Sequence, residues 1–215
     1  MKRLVMIVTL LATTTAIFAQ GEENPDDKKK KKSCFIIGLM MGIDFSSITG
    51  DSPSWGGQLP GGQIGFQACL LDIAPLFSVR GGIDFSMQGG KYDESYYGDN
   101  GPINGSGKIR TSYLNFPVAV RYQSKQGFYG EAGVQPGVLL SAKDKYEGQT
   151  NDYKDNMKKF DMGILVGGGY QINKNVGIGL RVVPGITNIN KSEYTYGEAP
   201  KDRNLVFSLR GSYNF

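Results

Sequence analysis

Eight charged side chains stand among apolar and small residues in this chain: Asp44, Asp84, Glu131 and Asp161 against Arg80, Arg121, Arg181 and Arg210. Paired carboxylates can divide acid and base work, and Asp44 with Asp84, or Glu131 with Asp161, are the pairs on which such chemistry would rest. The sequence has no histidine, which removes the usual general base and the commonest neutral metal ligand. Four acids matched by four arginines have the composition of a luminal ion-pair network, so no catalytic residue, no metal site and no cofactor are expected. Gly167-Gly168-Gly169 is followed by neither Lys-Ser nor Lys-Thr, and glycine there is expected to make room for larger neighbours and not to cradle phosphate.

The elements that carry these charges are strands. Eight segments place an apolar residue at every second position, the signature of a strand with two unlike faces. They run over residues 35–45, 64–70, 77–87, 114–122, 128–138, 160–170, 176–186 and 205–215. The charges fall on the alternate face of each. Connections are short at 72–76, 123–127 and 171–175, and long at 46–61, 89–107, 142–159 and 190–203. Short turns on one side and long loops on the other are the pattern of an eight-stranded antiparallel up-and-down transmembrane β-barrel, all-β, with its short turns in the periplasm.

An exported soluble barrel would alternate too. Two features favour the membrane. The charged face would have to lie outside a soluble barrel, and aromatic residues gather at both ends of the apolar face: Phe35, Phe77, Tyr122, Phe128, Tyr170 and Phe215 at the turn end, Phe45, Phe85 and Phe160 at the other. Those are the two interfacial girdles of a membrane barrel. Proline cannot donate to a ladder. Pro136 and Pro184 are therefore expected at the outer rim, and Pro117 at a bulge or broken ladder.

The chain opens Met1-Lys2-Arg3, then an apolar run to Phe18 and Ala19. This reads as a signal peptide over 1–19, a charged Lys-rich linker over 20–33, and a barrel over 34–215. The block Lys28 to Lys32 supplies much of the formal net charge of +4; on an exported chain it is read as solvated linker, with no nucleic-acid partner expected. The expected partners are outer-membrane lipid, the barrel-insertion machinery during assembly, and a surface protein or glycan held by the loops.

The segment Tyr113-Leu114-Asn115-Phe116-Pro117-Val118-Ala119-Val120-Arg121-Tyr122, the strand from Gly130 to Ala142, the stretch Phe160 to Tyr170 and the terminal Phe215 resemble the PorT-like outer-membrane β-barrel family of Bacteroidota. The resemblance covers residues 33–215. It implies an outer-membrane barrel in which a proline at 117 is part of the pattern, and a terminal aromatic at Phe215 that looks like the signal read by the insertion machinery.

Trp55, Tyr92, Tyr96, Tyr97, Tyr146, Tyr153, Tyr194 and Tyr196 dot the long loops, where aromatic residues provide rigid contact area for a ligand or pack on one another. Cys34 and Cys69 are the only cysteines. If Met40 faces Gln63 they face each other, and export to an oxidising compartment allows a disulfide. By the same parity Arg121 and Glu131 flank a short turn as near-diagonal neighbours. The function expected from all of this is a non-enzymatic barrel with a structural or interaction role through its loops; the alternative is a narrow passive porin-like channel.

Overall fold

The computed structural model describes residues 36–51, 55–98, 101–146, 148–191 and 200–215. The leader and linker, Cys34, Phe35, Tyr194 and Tyr196 lie outside the described residues. The strands are β1 (Ile37–Gly50), β2 (Trp55–Gly57), β3 (Leu59–Ala74), β4 (Phe77–Gly98), β5 (Gly101–Asn115), β6 (Val118–Gln123), β7 (Phe128–Tyr146), β8 (Gln149–Asp152), β9 (Phe160–Gln171), β10 (Val176–Pro184) and β11 (Asp202–Asn214). Among the described residues the helical content is one 3-10 turn, Lys154–Asn156.

The wall runs β1, β3, β4, then β5 continued by β6, then β7, β9, β10 and β11, and closes because β11 pairs back onto β1. All pairings are antiparallel. Counting β5 with β6 as one stave, and setting aside the short β2 and β8, gives the eight staves that the alternation predicts. Closure leaves no edge among the eight staves, the condition for a strand protein to sit in lipid.

The faces are inverted relative to a soluble protein. Met41, Ile43, Ile64, Phe66, Ile83, Val120, Ile164, Val166, Leu180 and Leu209 all point outward and exposed, whereas Asp44, Ser46, Gln63, Asp84, Asn115, Arg121, Glu131, Arg181 and Arg210 are buried inside. The outer wall carries rings where the girdles were expected. At the short-turn end Phe77 meets Tyr122 at 5.2 Å and Phe128 meets Tyr170 at 4.9 Å between ring centroids. At the other end Phe45, Phe85 and Phe160 are exposed.

Two expectations about the wall need correction. Pro136 sits in the middle of β7, not at a rim, and its place is explained by Pro117. The stave breaks between Asn115 and Val118, and β7 pairs with β5 from Gly137 onward and with β6 up to Val134. Pro136 therefore stands opposite the break. Its carbonyl accepts from Phe116 N at 2.8 Å, and since N and O of a strand residue point the same way, its missing N–H faces the gap, where the broken stave asks less of it. One interruption accommodates two prolines. Pro184 ends β10, as a rim residue would.

The second correction concerns the long loops. Residues 89–98 and 101–107 are a paired ribbon extending β4 and β5, with Gly98 opposite Gly101, and β7 runs on to Tyr146 to pair with β8. These segments are two-stranded hairpins, so one end of the barrel is a hairpin end and the other a turn end.

Candidate functional site

The register sets the charged cluster. Around the turn 124–127, Ser124 N donates to Phe128 O at 2.8 Å and Gly127 N to Ser124 O at 3.1 Å, with Gly127 at φ +99°, a conformation suited to glycine. That turn places Arg121 directly opposite Glu131, not diagonal to it. Glu131 is in turn opposite Gly167 on β9, and Gly167 opposite Arg181 on β10. Because Gly167 has no side chain, Arg181 reaches across it; a Cβ at 167 would lie 3.2 Å from Glu131 Oε1.

The outcome is one carboxylate held by three guanidiniums. Arg121 Nη2 and Nε donate to Glu131 Oε2 at 2.7 and 3.2 Å. Arg181 Nη2 and Nε donate to Oε1 at 2.7 and 3.0 Å, and Arg210 Nη2 donates to Oε1 at 2.7 Å. Arg121 and Arg181 each close two donors onto a single oxygen, Oε2 and Oε1 respectively, so both carboxylate oxygens carry charge-assisted bonds. Tyr129 completes the cluster, with the Arg121 guanidinium 4.0 Å above its ring centroid, close enough for a cation–π contact. Tyr129 was not singled out in the sequence. Its position between Phe128 and Gly130 puts it on the luminal face by parity, and that signal would have found it.

The remaining four expected members do not join this knot. Asp44 accepts from Gln63 Nε2 and Ser208 Oγ, each at 2.7 Å, and its other oxygen has no partner among the described residues. Both oxygens of Asp84 are buried without a protein partner there, as are Nε and Nη1 of Arg80. Asp161 accepts from Thr187 Oγ1 at 2.5 Å and Asn204 Nδ2 at 2.7 Å. The balanced pairing of four acids with four arginines is thus replaced by a three-to-one cluster and a separate set of aspartates. The register explains it: Asp44 pairs with Ser208, one luminal step toward the hairpin end from Arg210, and Asp161 lies three such steps from Gly167.

One luminal layer further toward the hairpins, Ala119, Leu165, Val183 and Val206 form a small buried apolar cluster. Each stands two or four residues along its strand from the charged layer. Beyond it, inside the hairpin end, Ile48, Tyr92, Ile109, Tyr113, Leu139, Ala142, Met157 and Ile189 make a second core, with Trp55, Tyr146 and Tyr153 packed against it. Trp55 meets Tyr92 edge-on at 5.8 Å, Tyr92 stacks over Tyr146 at 6.5 Å, and Tyr92 Oη donates to Asp144 Oδ1 at 2.8 Å. Of the aromatic residues expected to offer loop contacts, Trp55, Tyr146 and Tyr153 pack inward. Tyr96 and Tyr97 lie on the β4 ribbon with their side chains outside the description, and Tyr194 lies outside it altogether.

Lumen cavities are correspondingly small: about 20 Å³ beside Met40, Gln67, Arg80, Glu131 and Arg181, and about 10 Å³ beside Asn115, Asp161 and Asn204. Each is of the order that one water occupies. Among the described residues no group of acids and cysteines is arranged to hold a metal ion. Met40 faces Gly65, not Gln63, so the register assumed for a Cys34–Cys69 pair is shifted by two residues. Cys69 is buried and disulfide-bonded.

A closed antiparallel barrel that is apolar outside and polar within is the class of protein that spans bacterial outer membranes. The chain belongs to the family described as the outer membrane protein beta-barrel domain, whose model matches residues 18–191. Among solved structures it is similar to Ail, the attachment invasion locus protein of Yersinia pestis, at 14% identity and TM-score 0.45, covering 84% of this chain and 99% of that one. It is also similar to neisserial surface protein A, at 13% identity and TM-score 0.49 over 83% and 97% of the two chains. A third is the outer membrane protein OprG of Pseudomonas aeruginosa, at 12% identity and TM-score 0.41 over 85% and 96%. No curated protein sequence matches this chain.

Proposed function

We propose that this outer-membrane barrel is non-enzymatic and non-conducting, and that it serves structurally or as an interaction platform through its hairpin end. The observation that carries this reading is the Glu131 cluster, in which three arginines from three staves converge on one carboxylate across the lumen. An apolar layer and an aromatic cap lie above it. A side-chain-filled interior is what eight staves enclose. The chain is exported by the leader 1–19, and the turn end faces the periplasm.

A narrow channel for small solutes is the second reading, and the water-sized polar cavities beside Arg80 and Asp161 favour it. Purified barrel in a planar bilayer separates the two. The expected trace has no steady open state; robust ohmic conductance from the wild type would make the channel the better reading.

Three finer assignments belong to the same proposal. The chain is a PorT-like barrel of Bacteroidota by the resemblance over residues 113–122 and 130–142, without that resemblance tying it to a secretion system. The insertion machinery reads Phe215, which packs edge-on against Tyr213 at 5.6 Å. Cys69 pairs with Cys34, the other cysteine of the chain. Alkylation without reduction followed by mass spectrometry is expected to leave both cysteines unmodified, and carbamidomethyl on both would remove the pairing.

A further inference from the structure

The lip of the wall beside β10 carries a basic recess. An open cavity of about 580 Å³ is lined by Lys154, Lys158, Lys159 and Lys191, with Asp155 as the acid beside them. Four ammonium groups against one carboxylate leave the recess strongly positive. Lys158, Lys159 and Lys191 are exposed, and no ion pair engages them among the described residues. Lys154 is tied down, its Nζ donating to Leu140 O at 2.6 Å.

The two lysine-bearing segments are fastened to each other by backbone bonds. Lys158 N donates to Ile189 O at 2.8 Å and Lys191 N to Asn156 O at 3.1 Å, and Met157 bridges Asn190. Met157 is sunk into the aromatic cap and anchors the strip from below. The recess is therefore set by the backbone, and its lysines are presented from a fixed base.

Its height on the wall decides what it meets. Phe160 lines the recess and is a girdle residue on the outer face, half exposed; Val138, its ladder partner on β7, is also exposed on the outer face. The lysines thus begin where the lipid-facing apolar band ends, at the level of headgroups. Ammonium groups are point-charge partners for phosphate, and lysines at this level keep their stems on apolar surface and their charges in the headgroup layer.

We propose that this recess binds the phosphate groups of an anionic glycolipid headgroup in the leaflet around the hairpin end. The inference rests on the outward orientation of that end for the identity of the leaflet, but binding itself does not depend on orientation when the barrel is in detergent. The test uses the full barrel in neutral detergent, with heat-modifiable migration as the folding control. Native mass spectrometry follows retention of a bisphosphorylated glucosamine-disaccharide lipid, the same lipid with its phosphates removed, and inorganic phosphate alone. The expected result is retention of the phosphorylated lipid only. Each of Lys158→Gln, Lys159→Gln and Lys191→Gln is expected to weaken it about 5-fold, and the triple variant about 100-fold, while the triple Lys→Arg variant keeps most of the binding. Equal retention of the dephosphorylated lipid, or unchanged affinity in the triple Gln variant, would overturn the proposal. Full competition by millimolar inorganic phosphate would reassign the recess to a free anion. A failure of orientation shows separately, in proteolysis of intact cells.

Discussion

Glu131 is the residue on which the lumen's charge balance turns. It faces three guanidiniums, and its carboxylate is almost wholly buried. Removing the negative charge leaves three positive ones crowded in a site of low polarity, a loss of about 3–5 kcal/mol where the surroundings are dry and less where water enters. Glu131→Gln is therefore expected to lower the unfolding midpoint well below that of Asp155→Asn, an exposed acid with no such partners. Arg121→Gln in the same chain is expected to restore part of the loss, since it removes one of the uncompensated charges. Urea titrations of the four-member cycle in detergent check this, and additivity of the two single changes would show that the pair is not coupled. Parity alone placed all eight charges on the luminal face, because the side-chain period of a strand is two. It could not say which acid meets which arginine. That depends on how far each stave slides past its neighbour, and a slide of two residues keeps the face while exchanging every partner. Asp84 and Arg80 are the clearest case: both oxygens of Asp84, and Nε and Nη1 of Arg80, are buried without a hydrogen-bond partner among the described residues.

At the scale of the strands, glycine does for β9 and β10 what charge does for β7. Tyr129 projects from β7 across β9, and its hydroxyl donates to Ile178 O on β10 at 3.3 Å. It fits because Gly169 and Gly179 have no side chains; a Cβ at Gly179 would stand 2.1 Å from Tyr129 Oη. Gly179→Ala is expected to destabilise the barrel by about 1–3 kcal/mol, as overpacking does. Tyr129→Phe, which withdraws the clashing oxygen, is expected to return part of it. Gly211→Ala is the control, since a Cβ added there would come no nearer than 4.0 Å to Met41 O, and thermal melts of the four variants in one detergent compare them. An equal loss for Gly211→Ala and Gly179→Ala would point to the backbone and not to Tyr129. The glycine run 167–169 signalled this need for room in the sequence, although not the residue that fills it. The ribbons were less legible. Beyond the membrane a two-stranded hairpin has no lipid face to satisfy, so residues 89–107 lose their apolar alternation, and their Gly, Asn and Tyr content resembles a loop although the ladder continues to Gly98. For the same reason the sequence left Trp55, Tyr146 and Tyr153 open between ligand contact and mutual packing; they pack against the buried cluster inside the hairpin end.

For the whole molecule, the inverted faces were the most legible feature, because eight separate segments had to agree on them. Length alone points the hairpin end outward: the short turns lie at one end, and the ribbons that extend β4, β5 and β7 at the other. The exposed lysines make this a clean experiment. Lys125 and Lys174 sit in the short turns, whereas Lys158 and Lys191 sit at the hairpin end, where they line the basic recess. The turn around Lys174 is also braced, Asn173 Oδ1 accepting from the backbone N–H of Asn175 and Val176 at 2.9 and 2.7 Å. Trypsin added to intact cells is expected to cut at Lys191 or Lys201 and to spare Lys125 and Lys174. With ladder hydrogen bonds holding every stave, the nicked protein is expected to stay together until it is boiled, and then to separate into a long and a short fragment on a gel. Breaking the outer membrane before adding trypsin is expected to add cleavage at Lys125, which shows that the turn is protected by its side of the membrane and not by its structure. Cleavage at Lys125 in intact cells would reverse the orientation, move the aromatic cap and the lysine recess to the periplasmic leaflet, and leave the closed lumen as it stands.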